Sequence, residues 1–391
     1  MNNSTKQRIL ELKDEIVRLR RDFHMHPELG FEEVRTNGVI TKYLEACGIE
    51  TQTMTKTGVV GLLRGGKPGP TVMLRADMDA LPVTEETDLP YKSVNPGKMH
   101  ACGHDGHMAM LLTAAKILSE EKENLRGSVK FCFQPNEEEA GAELMIGDGV
   151  LENPHVDVCI GIHLWQPIPS GKIGLKKGAV MAGMDNFRLI IHGKGGHSGE
   201  PHKAVDPITA ASAVISAISF IEKREIGILN PTIITVNTIH GGTAANVISE
   251  KVEMTGTVRY LYDPDDKLEQ RPRVRFERLV KAICEVYRTT YTMEFTPSSS
   301  TLINHAEVVD RLQPVAASLV GANNIVPYVC MMGDDYAEFT KRVPGAFVFI
   351  GTGNTEKDAS YPHHHPKFNI DEDTLLTGVE FYVKAVCNYL Q

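Results

Sequence analysis

Val129-Lys130-Phe131-Cys132-Phe133-Gln134-Pro135-Asn136-Glu137-Glu138-Glu139 joins a short β-rich run to three consecutive carboxylates. Runs of the same texture lie on either side, at Val72-Met73-Leu74 and Val158-Cys159-Ile160-Gly161-Ile162, and a helical stretch from Met108 to Leu118 separates the first from the second. Strand-like runs alternating with helical segments indicate an α/β layer fold on a mostly parallel central sheet. Polar residues cluster just past these runs: Asp77 and Asp79, Glu137 and Glu138, and His163, which closes its run. Open α/β sheets bind ligands at the carboxyl ends of their strands, so a shared site is expected there.

The richest donor cluster is His100-Ala101-Cys102-Gly103-His104-Asp105-Gly106-His107. Thiolate and imidazole are the donors that borderline-soft Zn²⁺ prefers, and glycines let neighbouring side chains converge. Glu137, Glu138, His163 and His364 are further candidate ligands, dispersed as in an enzyme's metal centre rather than paired as in a zinc finger. Taken singly, an acidic run is a solvated helix start, a histidine at a strand end is a rim residue, and His363-His364-His365 before Pro366 is an exposed turn. At a strand's carboxyl end, in a chain that also carries Cys102 and His104, the acidic run reads instead as part of a metal site, where one glutamate can bind metal while its neighbour acts on water as general base. The three histidines are then a source of a late ligand. Asp77 and Asp79 read either as strand terminators or as carboxylates that orient a ligand.

At 391 residues and 42% hydrophobic, the chain can build one large domain plus a smaller one. A net charge of −9 without basic runs excludes nucleic acid as an expected partner and favours a small-molecule substrate. The first residues lead into a charged amphipathic helix (Ile9, Leu12, Ile16, Leu19) without a signal core. The most apolar helical segment, Ala210 to Ile221, is shorter than the ~20 residues that cross a bilayer. A cytoplasmic protein with no membrane partner is expected. The seven cysteines are odd in number and scattered, which suits a reducing compartment; only Cys102 sits among metal donors, and the other six read as core residues.

From about Asn186 the texture changes. A strand (Phe187 to His192), a glycine-rich turn (Gly193 to Gly196), a helix (Pro207 to Glu222), two strands (Thr232 to Ile239, Val252 to Tyr260), a helix (Asp266 to Tyr287) and a strand (Tyr291 to Phe295) follow in the β-α-β-β-α-β order of a ferredoxin-like domain. The expected division is a discontinuous catalytic domain, 1–184 and 296–391, with an inserted domain at 185–295. A final amphipathic helix is expected from Asp371 to Tyr389. Within the insert, Gly195-Gly196-His197-Ser198-Gly199 alone reads as a hairpin turn. Together with Asn246 and Arg259 it offers a donor for a developing oxyanion and a guanidinium fork for a substrate carboxylate.

Eight segments in order, Arg21 to Glu33 (RDFHMHPELGFEE), Leu74 to Pro82 (LRADMDALP), His100 to His107 (HACGHDGH), Phe133 to Glu138 (FQPNEE), Gly161 to Leu164 (GIHL), Gly193 to Gly199 (GKGGHSG), Gly241 to Ser249 (GGTAANVIS) and His364 to Phe368 (HHPKF), carry a resemblance over nearly the whole chain. The chain resembles the M20 metallopeptidase family, in particular its amidohydrolase branch of hippurate hydrolases, aminoacylases and auxin-conjugate hydrolases. The resemblance implies two divalent ions per subunit, Zn²⁺ or Mn²⁺ first and Co²⁺ or Ni²⁺ as options, held by Cys102, His104, Glu138, His163 and His364. It implies Glu137 as general base, and His197 and Asn246 at the scissile carbonyl, in some members across a dimer interface. The small domain becomes lid and dimerisation surface of a homodimer or larger homo-oligomer. His364 is preferred to His363 and His365 because the family's ligand lies two residues before the proline. Two departures stand out: Met332-Gly333-Asp334-Asp335-Tyr336 replaces a common Gly-Glu-Asp-Phe, and Asn136 replaces a common Ala.

The expected activity is hydrolysis of the amide bond of N-acyl amino acids, with Arg259 at the α-carboxylate. The alternative is a metallocarboxypeptidase or dipeptidase acting on short peptides. A metal-storage protein needs neither Glu137 nor an inserted domain, and a degenerate binding module would have lost a ligand or the base.

Overall fold

The computed structural model describes residues 3–263 and 271–391. Two compact units emerge: a larger one that ends at Val180 and resumes over Leu302–Val329 and Asp334–Gln391, and a smaller one over Met181–Thr301 joined by Cys330–Gly333.

The larger unit opens with helices α1 (Asn3–Glu11), α2 (Lys13–Met25) and α3 (Val34–Ala46), followed by strands β1 (Glu50–Met54), β2 (Gly58–Arg64) and β3 (Lys67–Asp77). Helix α4 (His104–Glu120) leads to β4 (Arg126–Gln134), β5 (Val158–Pro169) and β6 (Ile173–Gly174). Residues Thr71 to Asp77 of β3 are all buried, the unbroken pattern of a strand covered on both faces. Helix α4 is apolar nearly all round and packs between the sheet and α2. Its first turn lies close to β5: a Cβ at Gly106 would overlap Leu164.

The smaller unit consists of β7 (Gly183–His192), α5 (Pro207–Phe220), β8 (Thr232–Gly241), β9 (Lys251–Tyr260), α6 (Pro272–Tyr287) and β10 (Thr290–Ser299). Its antiparallel sheet runs β8-β9-β7-β10. Burial alternates along β7, and Phe187, Leu189 and Ile191 join residues of α5 and α6 in a separate core. The expected helix from Asp266 begins at Pro272, and residues 266–270 of that expectation lie outside the described residues. Helix α5 gives way after Phe220 to a π turn over Ile221–Glu225.

The chain then returns to the larger unit as α7 (Ala306–Val320), β11 (Ile325–Val326), β12 (Gly345–Gly353) and α8 (Thr374–Leu390), the last packed on α4. The large sheet has the order β1-β2-β4-β3-β5-β12-β6-β11. Its centre, β4-β3-β5-β12, is parallel, and β1, β2 and the β12–β6 pair are antiparallel.

This topology corrects one expectation. The last β3–β5 pair is Arg75 with Gly161, which puts His163 level with Asp77, yet β5 does not end there. It continues to Pro169 because β12 supplies a ladder on its other side, with Phe349 opposite His163. The cysteines need a second correction. Cys132, Cys159 and Cys284 are core residues, whereas Cys47, Cys330 and Cys387 are half-buried. Among the described residues no helix is long and apolar enough to cross a membrane.

Candidate metal centre

Asp77 ends β3 and Asp79 follows it, Glu137 and Glu138 follow β4, His163 lies in β5, and Cys102 and His104 flank the start of α4. Gly103 between them has φ +93, a left-handed turn that favours glycine and aims both side chains to one side. The ligand atoms of Cys102, His104 and His163 lie within 4.8 Å of one another, as do those of Cys102, Glu138 and His364, and of His104, Glu137 and Glu138. Cys102 Sγ is 3.6 Å from His163 Nε2, His364 Nε2 is 3.2 Å from Glu138 Oε1, and His104 Nε2 is 3.9 Å from Glu137 Oε2.

Backbone partners decide which imidazoles can bind metal. His104 Nδ1–H donates to the Asp79 carbonyl at 2.8 Å and His163 Nδ1–H to the Leu164 carbonyl at 2.9 Å, so the Nε2 of each ring faces the cluster. His107 has none to offer. Its Nδ1–H donates to Asp77 at 2.6 Å and its Nε2 accepts the Leu164 N–H at 2.8 Å. His363 bonds to the Leu164 carbonyl at 3.0 Å and lies against Trp165, while His365 Nδ1 accepts the Lys367 N–H and its ring stacks on Tyr361. His364, at φ +66 with its N–H on the Ala101 carbonyl, is the member of the triplet that faces Glu138.

The electrostatics fit divalent cations. Asp77, Asp79, Glu137, Glu138, Asp334 and Asp335 crowd the cluster, with the buried Arg75 guanidinium among them. Burial disfavours charge on His104, but Asp77 and Asp79 outweigh it and hold the imidazole up to about 10. Burial, then Glu138 and Glu137, pushes the Cys102 thiol well above its ordinary range. Ionising that thiol demands a cation. Burial and the adjacent His107 keep His163 neutral, the form that ligates. Burial, then Asp334 and Glu138, raises Glu137 against the pull of Arg75. His104 Nε2 is buried without a hydrogen-bond partner, and so is Glu138 Oε1, whose approach to His364 is not aligned as a hydrogen bond. Orphaned donor atoms amid surplus acid are what a metal would satisfy.

Several contributors escaped sequence reasoning. Arg75 donates to Asp77 at 2.6 Å, Gln134 at 2.8 Å and Asp335 at 3.2 Å, while Gln134 and the Ala142 N–H also hold Asp335. The signal was an arginine inside an otherwise apolar strand, which must find carboxylates once buried. Asp334 and Asp335 drew notice only as a departure from the family pattern.

In the smaller unit, Gly196-His197 pairs with Val247-Ile248, which sets His197 beside Asn246, and the Ser198 N–H donates to the Asn246 carbonyl at 3.1 Å. Both line a cleft of ≈ 1210 Å³. His197 Nδ1 accepts the Gly199 N–H at 3.0 Å, leaving the proton of the neutral ring on Nε2 as a donor. Arg259 donates through Nη1 to the Met331 carbonyl at 2.9 Å.

Comparison with known proteins agrees with this chemistry. The profile of peptidase family M20/M25/M40 matches residues 73–388. The chain is similar to thermostable carboxypeptidase 1 of Saccharolobus solfataricus, with 40% identity over 95% of each chain. It is similar to an N-acyl-L-amino acid amidohydrolase of Geobacillus stearothermophilus, with 42% identity over 77% of this chain and 81% of the relative. Its fold matches the crystal structure of the Bacillus subtilis YXEP protein, a dinuclear metal binding peptidase from the M20 family, with a TM-score of 0.84, 33% identity, and 97% and 99% of the two chains covered.

Proposed function

The chain belongs to peptidase family M20/M25/M40, and we propose that it is a metal-dependent amidohydrolase that cleaves N-acyl amino acids to a carboxylic acid and a free amino acid. The observation that carries this reading is the convergence of Cys102, His104, Glu138, His163 and His364 beside a carboxylate, Glu137, that is left over to act as base. Two divalent ions held by those five residues would supply Lewis acidity toward water and the substrate carbonyl. Zn²⁺ and Mn²⁺ suit the donors first, with Co²⁺ and Ni²⁺ as options.

Glu137 takes a proton from the attacking water and returns it to the leaving nitrogen. Its dry, acid-rich surroundings make it a better base than an exposed glutamate, because they disfavour its charged form. Asp77 and Asp79 hold the ligand histidines through His107 and through the loop that receives His104. The Nε2–H of His197 and the Asn246 amide donate to the scissile carbonyl oxygen. Arg259, with donors beyond the one on Met331, takes the α-carboxylate.

The smaller unit has the strand order of a ferredoxin-like domain, which supports a lid and dimerisation role for residues 185–295, with 1–184 and 296–391 as the catalytic domain. A homodimer or larger homo-oligomer is further supported by the edge position of β8 and by exposed Ile208, Ile215 and Phe220 on α5 and Ile233 and Ile239 on β8. A cytoplasmic setting accords with an odd number of scattered cysteines.

The test is amino acid release from N-acetyl and N-benzoyl amino acids and from dipeptides, side by side, after metal reconstitution. Cleavage of acyl substrates is expected. Cleavage of dipeptides alone establishes the carboxypeptidase or dipeptidase reading, which the name of the Saccharolobus relative favours. For His197, the His197→Ala protein should lose kcat and keep its metal. Mixed with Glu137→Gln subunits, it should regain activity if the residue acts across a dimer.

A further inference from the structure

Glu33 is fully buried and takes no part in the ligand set. Its Oε1 accepts the backbone N–H of Asn136 at 3.0 Å, and its Oε2 accepts the Thr57 hydroxyl at 2.6 Å. Asn136 immediately precedes Glu137 and sits at φ +54, the left-handed region that asparagine enters more readily than most residues. The Asn136 carbonyl accepts the Gly141 N–H at 2.8 Å, closing the turn that carries Glu137 and Glu138. On the other side of the base, Asp79 Oδ2 accepts the N–H of Glu138 at 3.1 Å. Glu137 is therefore bracketed by two backbone amides, each held by a buried carboxylate from a different part of the chain.

The segment that delivers Glu33 is itself anchored. The Ala80 N–H donates to the Glu28 carbonyl at 2.8 Å, and Leu29 bridges Ala80 in parallel. Gly30 packs so closely on the Asn136 side chain that a Cβ there would overlap it. A carboxylate is costly to bury and is kept where its hydrogen bonds hold something in place.

We propose that Glu33 is a positioning residue for Glu137, holding the Asn136 turn so that the base carboxylate faces the reaction centre; this rests on the reading of Glu137 as general base. Misplacing a catalytic group by a fraction of an ångström lowers turnover without emptying the metal site.

The experiment compares Glu33→Ala, Glu33→Gln, Glu137→Gln and the Glu33→Ala/Glu137→Gln double variant as metal-loaded proteins, reading kcat, KM and metal content. In Glu33→Ala, kcat should fall at least about tenfold, with KM and metal content within about twofold of the parent. Glu33→Gln keeps an oxygen for the Asn136 N–H and an amide for Thr57, and should recover to within about threefold of the parent. Added to Glu137→Gln, Glu33→Ala should change turnover less than about twofold, because the base it positions is gone. If Glu33→Ala does not fold, Glu33→Asp withdraws the oxygen by one methylene and should show the same loss. A parental kcat in Glu33→Ala or Glu33→Asp, a loss of metal that accounts for the loss of activity, or the same factor in both backgrounds overturns the proposal. Parental turnover in Glu137→Gln alone shows instead that the reading of the base is wrong and removes the proposal with it.

Discussion

Cys102 Sγ and His163 Nε2 lie 3.6 Å apart although 61 residues separate them, so the start of α4 meets β5 through two candidate metal donors. Burial and nearby acids suppress the thiolate, and a cation bound there would couple the two elements. Cys102→Ala should lower metal stoichiometry and activity together, and chelation should lower the unfolding temperature of the parent more than that of the variant. Elemental analysis and thermal melts check this; full metal content with normal turnover in Cys102→Ala would make it an ordinary core residue.

Glu137→Gln preserves shape and removes the proposed base. It should retain both ions and lose at least ~10²-fold in kcat. Turnover near the parent level would leave water activation to another group.

His107 and His163 make opposite predictions despite their similar burial. Both nitrogens of His107 are committed, to Asp77 and to the Leu164 N–H, so His107→Gln should keep metal and lose about 1–3 kcal/mol of stability from unsatisfied buried partners. His163→Gln should lose metal. Denaturant titration with metal analysis distinguishes them, and metal loss in His107→Gln alone would reverse the assignment.

Glu33 gives stability a pH dependence of its own. Burial raises its carboxyl from 4.5 to about 7, so the folded chain holds a proton that the unfolded chain has released between those values. That contribution is complete below about pH 4.5 and is lost as pH rises through about 7, on the order of 3 kcal/mol in all. Relative to the parent, metal-free Glu33→Gln should gain stability between pH 5 and pH 8 in denaturant titrations. An equal difference at both values would show that Glu33 does not titrate there.

The candidate donors, their order and the α/β class were legible in the sequence because each is a local property. Strand-like runs ending in acid, two glycines among thiol and imidazole, and a period change near Asn186 need no partner to be recognised. Which nitrogen of which histidine is free was not legible, because that depends on main-chain groups brought in by folding. Leu164 engages His107 across 57 residues and His363 across 199, and its carbonyl also takes the Nδ1–H of His163, which turns that ring's Nε2 toward Cys102. The length of β5 was hidden for a similar reason: a strand continues wherever a neighbour supplies a ladder, and β12 arrives almost two hundred residues later. Glu33 shows the same limit from the other side. Nothing in Gly30-Phe31-Glu32-Glu33 by itself marks the second glutamate as buried; the fold encloses it and brings up its partners, the Asn136 N–H 103 residues away and the Thr57 hydroxyl.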